Sequence, residues 1–75
     1  MNTKGYEELA NAIVLQAVTD YRTALKALAA NPDDRYAKAE AKRIEQFFLS
    51  AWYRCLTEID GKWLMMKLKK EAAEL

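Results

Sequence analysis

The chain contains no histidine, one cysteine, one proline and two glycines in 75 residues. Each shortage removes a class of chemistry or architecture. Without histidine, a nucleophile would lack its commonest base, and the usual zinc ligand sets cannot be assembled from a single Cys55. One cysteine excludes an intramolecular disulfide framework and fits a reducing compartment. With so few helix breakers the chain has few places to turn, so two or three long elements are expected and not many short ones. Charge of one sign is also missing. Twelve basic and eleven acidic residues leave a net charge of +1, neither the excess of a nucleic-acid coat nor that of an acidic mimic. The longest apolar run, Ala12 to Val18, is interrupted by Gln16 and falls far short of the ~20 residues of a membrane span. The N-terminus shows no basic region leading into an apolar core. A cytoplasmic protein without a leader is therefore expected.

What is present is helical periodicity throughout. A composition of 52% hydrophobic and 31% charged residues belongs to a foldable chain, and its length allows one domain, 1–75. A chain this short buries only roughly 60% of its unfolded surface, so its core must be dense or it must associate. Residues 1–5 read as a lead-in, with Asn2 or Thr3 available to cap a first helix from Tyr6 to Ala30. Leu9, Ala10, Ile13, Val14, Ala17, Val18, Tyr21, Ala24, Leu25 and Leu28 give that helix a broad apolar face. Asn31-Pro-Asp-Asp34 ends it, because the residue before proline avoids helical dihedrals, and Asp33 or Asp34 can cap the next helix.

The second helix carries the organising stripe: Ile44, Phe47, Phe48, Ala51, Trp52, Cys55, Leu56 and Ile59 recur at three- and four-residue steps. Ser50 could cap a new short helix at Ala51. Because the stripe keeps its phase across Ser50, a continuous or gently bent helix is expected instead. Asp60-Gly61 is the second break, with Asp60 as cap and Gly61 giving freedom to reverse. A third helix follows from about Lys62 to Ala73, with Leu64, Met65, Leu68, Ala72 and Leu75 on its apolar side. The expected fold is all-α, a small antiparallel three-helix bundle of two long helices and a shorter C-terminal one.

No catalytic constellation emerges. Cys55 falls beside Trp52 and Leu56 on the stripe, which predicts a packed, inert thiol. Glu58 and Asp60 bracket a helix end, Asp33 and Asp34 have caps to make, and no phosphate-binding glycine-rich loop occurs. No catalytic, cofactor or metal residues are assigned, and the chain is expected not to be an enzyme. Basic residues form two groups: Arg35, Lys38 and Lys42 on one face of the second helix, and Lys62, Lys67, Lys69 and Lys70 on the third. Glu40, Glu45, Glu71 and Glu74 interleave with them, as on a solvated face, yet side by side the groups could track a phosphate backbone. Apolar residues off the core stripe point elsewhere. Leu15 falls with Glu8, Asn11, Thr19, Arg22 and Lys26, Trp63 and Met66 flank the Leu64/Leu68 line, and Tyr53 lies near Lys42 and Arg35 by wheel angle. Trp and Tyr beside cationic side chains are the usual material of interface anchors. Leu15, Arg35, Lys38, Lys42, Tyr53, Trp63, Met66, Lys67 and Lys70 are therefore the candidate partner-binding residues.

The segments Asp20-Tyr-Arg-Thr-Ala-Leu25, Asn31-Pro-Asp33, Ile44-Glu-Gln-Phe-Phe-Leu-Ser50, Trp52-Tyr53, Leu56-Thr57 and Ile59-Asp-Gly61 resemble a group of small proteins. These are encoded on prophages and integrative elements of clostridial-type bacteria. The likeness covers most of residues 14–71, with Gln46 and Lys62 as departures. It implies a context: a non-enzymatic accessory protein that binds and occludes a host or phage protein. Inhibition of an antiviral defence system, such as a CRISPR effector, is one way such proteins work. A small nucleic-acid-binding or regulatory protein is the alternative, and a homodimer whose helices complete their core across a two-fold is a third reading. Neither a membrane nor a small-molecule substrate is expected as a partner.

Overall fold

Every element is helical in the computed structural model, which describes residues 3–74. Among those residues the order is α1 (Thr3–Ala30), α2 (Arg35–Phe48), α3 (Ala51–Leu56) and α4 (Gly61–Ala73). Alanine-rich sequence without proline carries α1 through 28 residues. It begins earlier than the expected Tyr6, taking in Lys4 and Gly5. Asn2 lies outside the described residues, and Thr3 is already helical. The Asn31-Pro32 pair ends α1, the Asn31 carbonyl accepting from the Asp34 N–H at 3.0 Å to close a tight turn. Of the two candidate caps, Asp34 is the one used: its Oδ1 accepts from the Ala37 N–H at 3.0 Å. Asp33 instead donates its own N–H to Asn31 Oδ1.

The expectation of one continuous second helix is wrong. α2 stops at Phe48, Ser50 is extended at φ −81° and ψ 160°, and a six-residue α3 begins at Ala51. Ser50 spans the break with one hydroxyl group. Its Oγ donates to the Phe47 carbonyl at 2.7 Å and accepts from the Tyr53 N–H at 3.1 Å. An extended residue inside a helical run discards the phase that preceded it, so wheel positions computed across Ser50 do not apply after it. Trp52, expected in the core, is 58% exposed, and Cys55 and Ile59 are exposed too. Tyr53, expected on the surface, is 0% exposed.

The core is centred on Tyr21, Phe48 and Tyr53, with Val14, Ala24, Ala41, Ile44 and Leu68 around them. Phe48 makes edge-to-face contacts at 5.7 Å with both tyrosines, and Phe47 meets Tyr53 at 5.6 Å. Such pairs contribute about 0.5–1.5 kcal/mol each beyond the area they bury. Buried Ala10, Ala24, Ala37 and Ala41 let helix backbones approach closely. Leu64 and Met65 pack against the same cluster from α4, as their spacing predicts, while Leu75 lies outside the described residues. The molecule measures 48 × 22 × 18 Å along its principal axes, the long dimension set by α1.

Gly61 opens α4 for a reason other than the expected freedom to reverse. Among the described residues no backbone has positive φ. A Cβ on Gly61 would sit 1.8 Å from the Phe48 carbonyl oxygen and 3.1 Å from Tyr53 Cε1. The first turn of α4 therefore rests directly on the end of α2. Asp60 caps that turn as expected, accepting from the Trp63 N–H at 3.0 Å.

Two substitutions test this junction. G61A, which in an exposed helix interior would gain about 1 kcal/mol, is expected to destabilise the protein by about 2 kcal/mol or more in urea unfolding. S50A removes both hydroxyl bonds and is expected to lose about 1–2 kcal/mol. Wild-type stability in either variant would refute the junction described.

Candidate functional site

The nine expected partner-binding residues separate once the helices are in place. Tyr53 drops out: it is enclosed, and the phase change at Ser50 is the cause. Leu15 is 64% exposed on α1, and Arg35, Lys38 and Lys42 are exposed on α2. Trp63, Met66, Lys67 and Lys70 remain together along the outer side of α4. Trp63 and Met66 are 56% and 59% exposed, and Trp63, Lys67 and Lys70 line one depression with Leu64, Arg22 and Glu71. Spacing of three and four residues makes this a stripe along one helix.

Beside this stripe α4 is fastened to the rest of the fold. Leu68 is buried, Arg22 of α1 pairs with Glu71 through two N–H···O contacts at 3.1 and 3.3 Å, and Lys69 reaches Glu45 of α2 at 3.4 Å. Both ends of the Arg22–Glu71 pair are half exposed, so it orients α4 more than it stabilises it. The stripe is thus displayed on a helix held at several points.

A second surface was not anticipated. Between α1 and the α2–α3 corner lies an open groove of about 450 Å³, walled by Ile13, Ala17, Ile44 and Phe47 and rimmed by Trp52. Phe47 and Trp52 meet edge to face at 5.3 Å. Asp20 and Arg43 mark one end. There Gln16 donates to Asp20 at 3.0 Å, and Arg43 is paired with Glu40. That pairing holds the Arg43 guanidinium proton more firmly than usual. Of the residues that line the groove, Ile13, Ala17, Ile44, Phe47 and Trp52 were assigned to apolar core faces, and Ala12, Gln16, Asp20 and Arg43 were not. The signal that could have found it is the Ser50 cap, since restarting the helix at Ala51 turns Trp52 outward.

Among the described residues no three His, Cys, Asp or Glu side chains gather where a metal could bind. No described helix is long and apolar enough to cross a membrane. Cys55, expected to be packed, is exposed, and its carbonyl accepts a long 3.4 Å bond from the Tyr6 hydroxyl. Two tyrosines are perturbed. Burial, then the hydrogen bond from its hydroxyl to Glu45 Oε2 at 2.6 Å, pushes the Tyr21 phenol well above its ordinary range. Burial and the nearby Asp60 charge raise Tyr53, whose hydroxyl is enclosed and has no hydrogen-bond partner among the described residues. Both groups sit inside the core and resist ionisation, a structural condition rather than a catalytic one.

No protein-family model matches the chain, and no match was found among curated proteins or solved structures.

The two tyrosines make opposite predictions. Y53F removes an unsatisfied buried hydroxyl and is expected to leave stability unchanged or raise it by up to about 1 kcal/mol, whereas Y21F loses a charge-assisted bond and is expected to cost about 1–2 kcal/mol. A raised folded-state phenol pKa adds stability that is complete below the unfolded value near 10 and is lost as pH rises above it. The fall in melting temperature above pH ~10 should therefore be shallower in Y21F than in wild type.

Proposed function

We propose that this chain is a non-enzymatic binding protein that works by covering part of a partner protein, with the outer stripe of α4 as its contact face. One observation carries the reading. Trp63 and Met66 stand more than half exposed one turn apart on a helix anchored by buried Leu68 and flanked by the Arg22–Glu71 and Lys69–Glu45 pairs. Large side chains held in advance lose little entropy on binding, and tryptophan is the residue most enriched among energetic anchors. Lys67 and Lys70 extend the stripe by one further turn and suit a partner surface bearing carboxylates. Leu15, Arg35, Lys38 and Lys42, on other helices, belong to a rim or to no contact at all.

The likeness to prophage and integrative-element proteins supplies the context: a bacterial cytoplasm and a host protein as target. An effector of antiviral defence, such as a CRISPR nuclease, is the instance that context favours. A rigid, elongated helical body is suited to the task. We infer that α1 runs antiparallel to the bent rod formed by α2 and α3, with α4 as the third rod. Two side-chain bonds support this: as α1 ascends from Tyr6 to Tyr21, their partners descend from Cys55 to Glu45. Nucleic-acid binding is less well supported, because Glu71 and Glu74 share the depression lined by Lys67 and Lys70, and Arg22 is committed to Glu71. A phosphate track would meet those carboxylates.

The decisive experiment is capture from a bacterial host carrying the target system, followed by affinity measurement with the captured protein. W63A is expected to weaken binding at least tenfold, as loss of an anchor worth ~2 kcal/mol requires, while K38E changes it little. Failure to capture any protein, with phage growth unchanged in every defended strain, would refute the reading. So would equal binding by W63A. Retention on duplex DNA that disappears with added salt would favour the nucleic-acid alternative.

A further inference from the structure

The α1/α2–α3 groove lies outside the proposed contact face and needs its own explanation. Its hollow is formed by Ala12, Ile13, Ala17, Ile44 and Phe47, and Trp52 stands at its rim. We infer that this groove is closed by the same groove of a second copy of the chain, each copy seating its Trp52 in the hollow of the other.

Three observations select a second copy as the occupant. First, ridge and hollow lie side by side on one surface, as an isologous two-fold contact requires. Trp52 is 58% exposed yet held in place by its edge contact with Phe47 at 5.3 Å, and the 450 Å³ hollow beside it has ample room for an indole. Second, the groove requires no charge from its occupant. Arg43 is paired with Glu40 and the Asp20 carboxylate accepts from the Gln16 amide, so both polar groups keep a hydrogen-bond partner when the groove is covered. The α4 face is different. Lys67 and Lys70 have no ion-pair partner among the described residues and call for carboxylates on whatever covers them.

Third, the area fits. Trp52, Leu9 one turn before Ile13, and Tyr6 in the adjoining depression beside Leu56 and Ile59 are each about three-fifths exposed. Taking about 150–250 Å² for a large side chain, they offer roughly 300 Å² per copy. With Ile13, Phe47, Ala12 and Gln16 added, a paired surface approaches the ~1,200 Å² lower limit of specific interfaces. A weak dimer with a micromolar dissociation constant is therefore expected. Ala12, exposed on α1 at the groove edge, lets the two copies of α1 come close.

Sedimentation equilibrium on the full chain tests this independently of any partner. Mass per particle should rise from 8.6 kDa toward twice that value between about 1 and about 300 µM, as a micromolar constant dictates. A12E, which adds a charge at an exposed site without entering the core, should weaken self-association at least tenfold. W63E should leave it unchanged. In W63F, where Trp52 is the one remaining indole, emission should shift to shorter wavelength over the same concentration range. A monomeric mass throughout, an A12E variant that associates like wild type, or emission independent of concentration would each overturn the inference. Because W63E reports on the α4 face and A12E on the groove, failure of either assignment is visible separately.

Discussion

One serine hydroxyl determines which side chains of this protein face inward. Ser50 Oγ has a single proton and two lone pairs, and it commits the proton to the last turn of α2 and a lone pair to the first turn of α3. Two helix ends are joined through one atom: the Phe47 carbonyl, which also accepts from the Ser50 N–H, and the Tyr53 N–H in the first turn of α3. An unbroken helix would have carried Trp52 inward behind Phe48 and left Tyr53 outside. The break exchanges them. Tyr53 then lies against Phe47 and Phe48 in edge contacts, while Trp52 keeps only its contact with Phe47.

The junction that follows depends on this exchange. With Tyr53 seated on Phe48, the chain returns through Thr57–Asp60 and places Gly61 against the Phe48 carbonyl, closer than any side chain would permit. α4 is thereby set at an angle that buries Leu68 and brings Glu71 to Arg22 and Lys69 to Glu45. A deficit is retained in the process, since the Tyr53 hydroxyl is enclosed without a partner among the described residues. A phenylalanine would fill nearly the same space without that deficit. Tyr21 occupies the better-served position, where its hydroxyl finds Glu45 and joins α1 to α2. The two tyrosines bury equal fractions of themselves, yet only one satisfies the polar atom it carries inside.

How far the residues alone could be read follows from the same physics. The helical class, the Asn31-Pro32 turn, the Asp34 and Asp60 caps and the Val14/Tyr21/Ala24 face of α1 were all legible. Each depends on short-range rules that a helix either obeys or does not. Errors begin where one local choice changes the meaning of everything after it. Ser50 was recognisable as a possible cap, but the apolar residues around it satisfy both registers: Phe47-Phe48 and Trp52-Tyr53 are adjacent bulky pairs, and a one-residue change of phase replaces one aromatic with another. Hydrophobic periodicity cannot choose between registers that are equally greasy. Cys55 was misplaced for the same reason and Ile59 because α3 ends at Leu56, while Trp63 and Met66 were placed correctly because no break separates them from Leu64 and Leu68. Gly61 was identified as a break but misunderstood, since a clash with the Phe48 carbonyl belongs to the tertiary structure.

The two exposed faces arise from a common constraint of size. α1 has 28 residues, whereas α2 has 14 and α4 has 13, so the long helix has more apolar surface than the rest of the chain can cover. α4 occupies one side of the α1–α2 pair. Across from it, the six residues of α3 run down to Tyr6 yet leave Leu9 exposed and Ile13 half-buried, and the groove is what remains. A longer third segment would have closed that groove but moved the turn into α4, and with it the contacts that fix Trp63. The molecule instead leaves the groove open between α1 and Trp52, and displays Lys67 and Lys70 beside Trp63 on α4. A largely apolar groove and a helix face carrying tryptophan and lysines differ in the surfaces they complement. The uneven helix lengths thus leave two chemically different faces exposed, one along α4 and one between α1 and the α2–α3 corner.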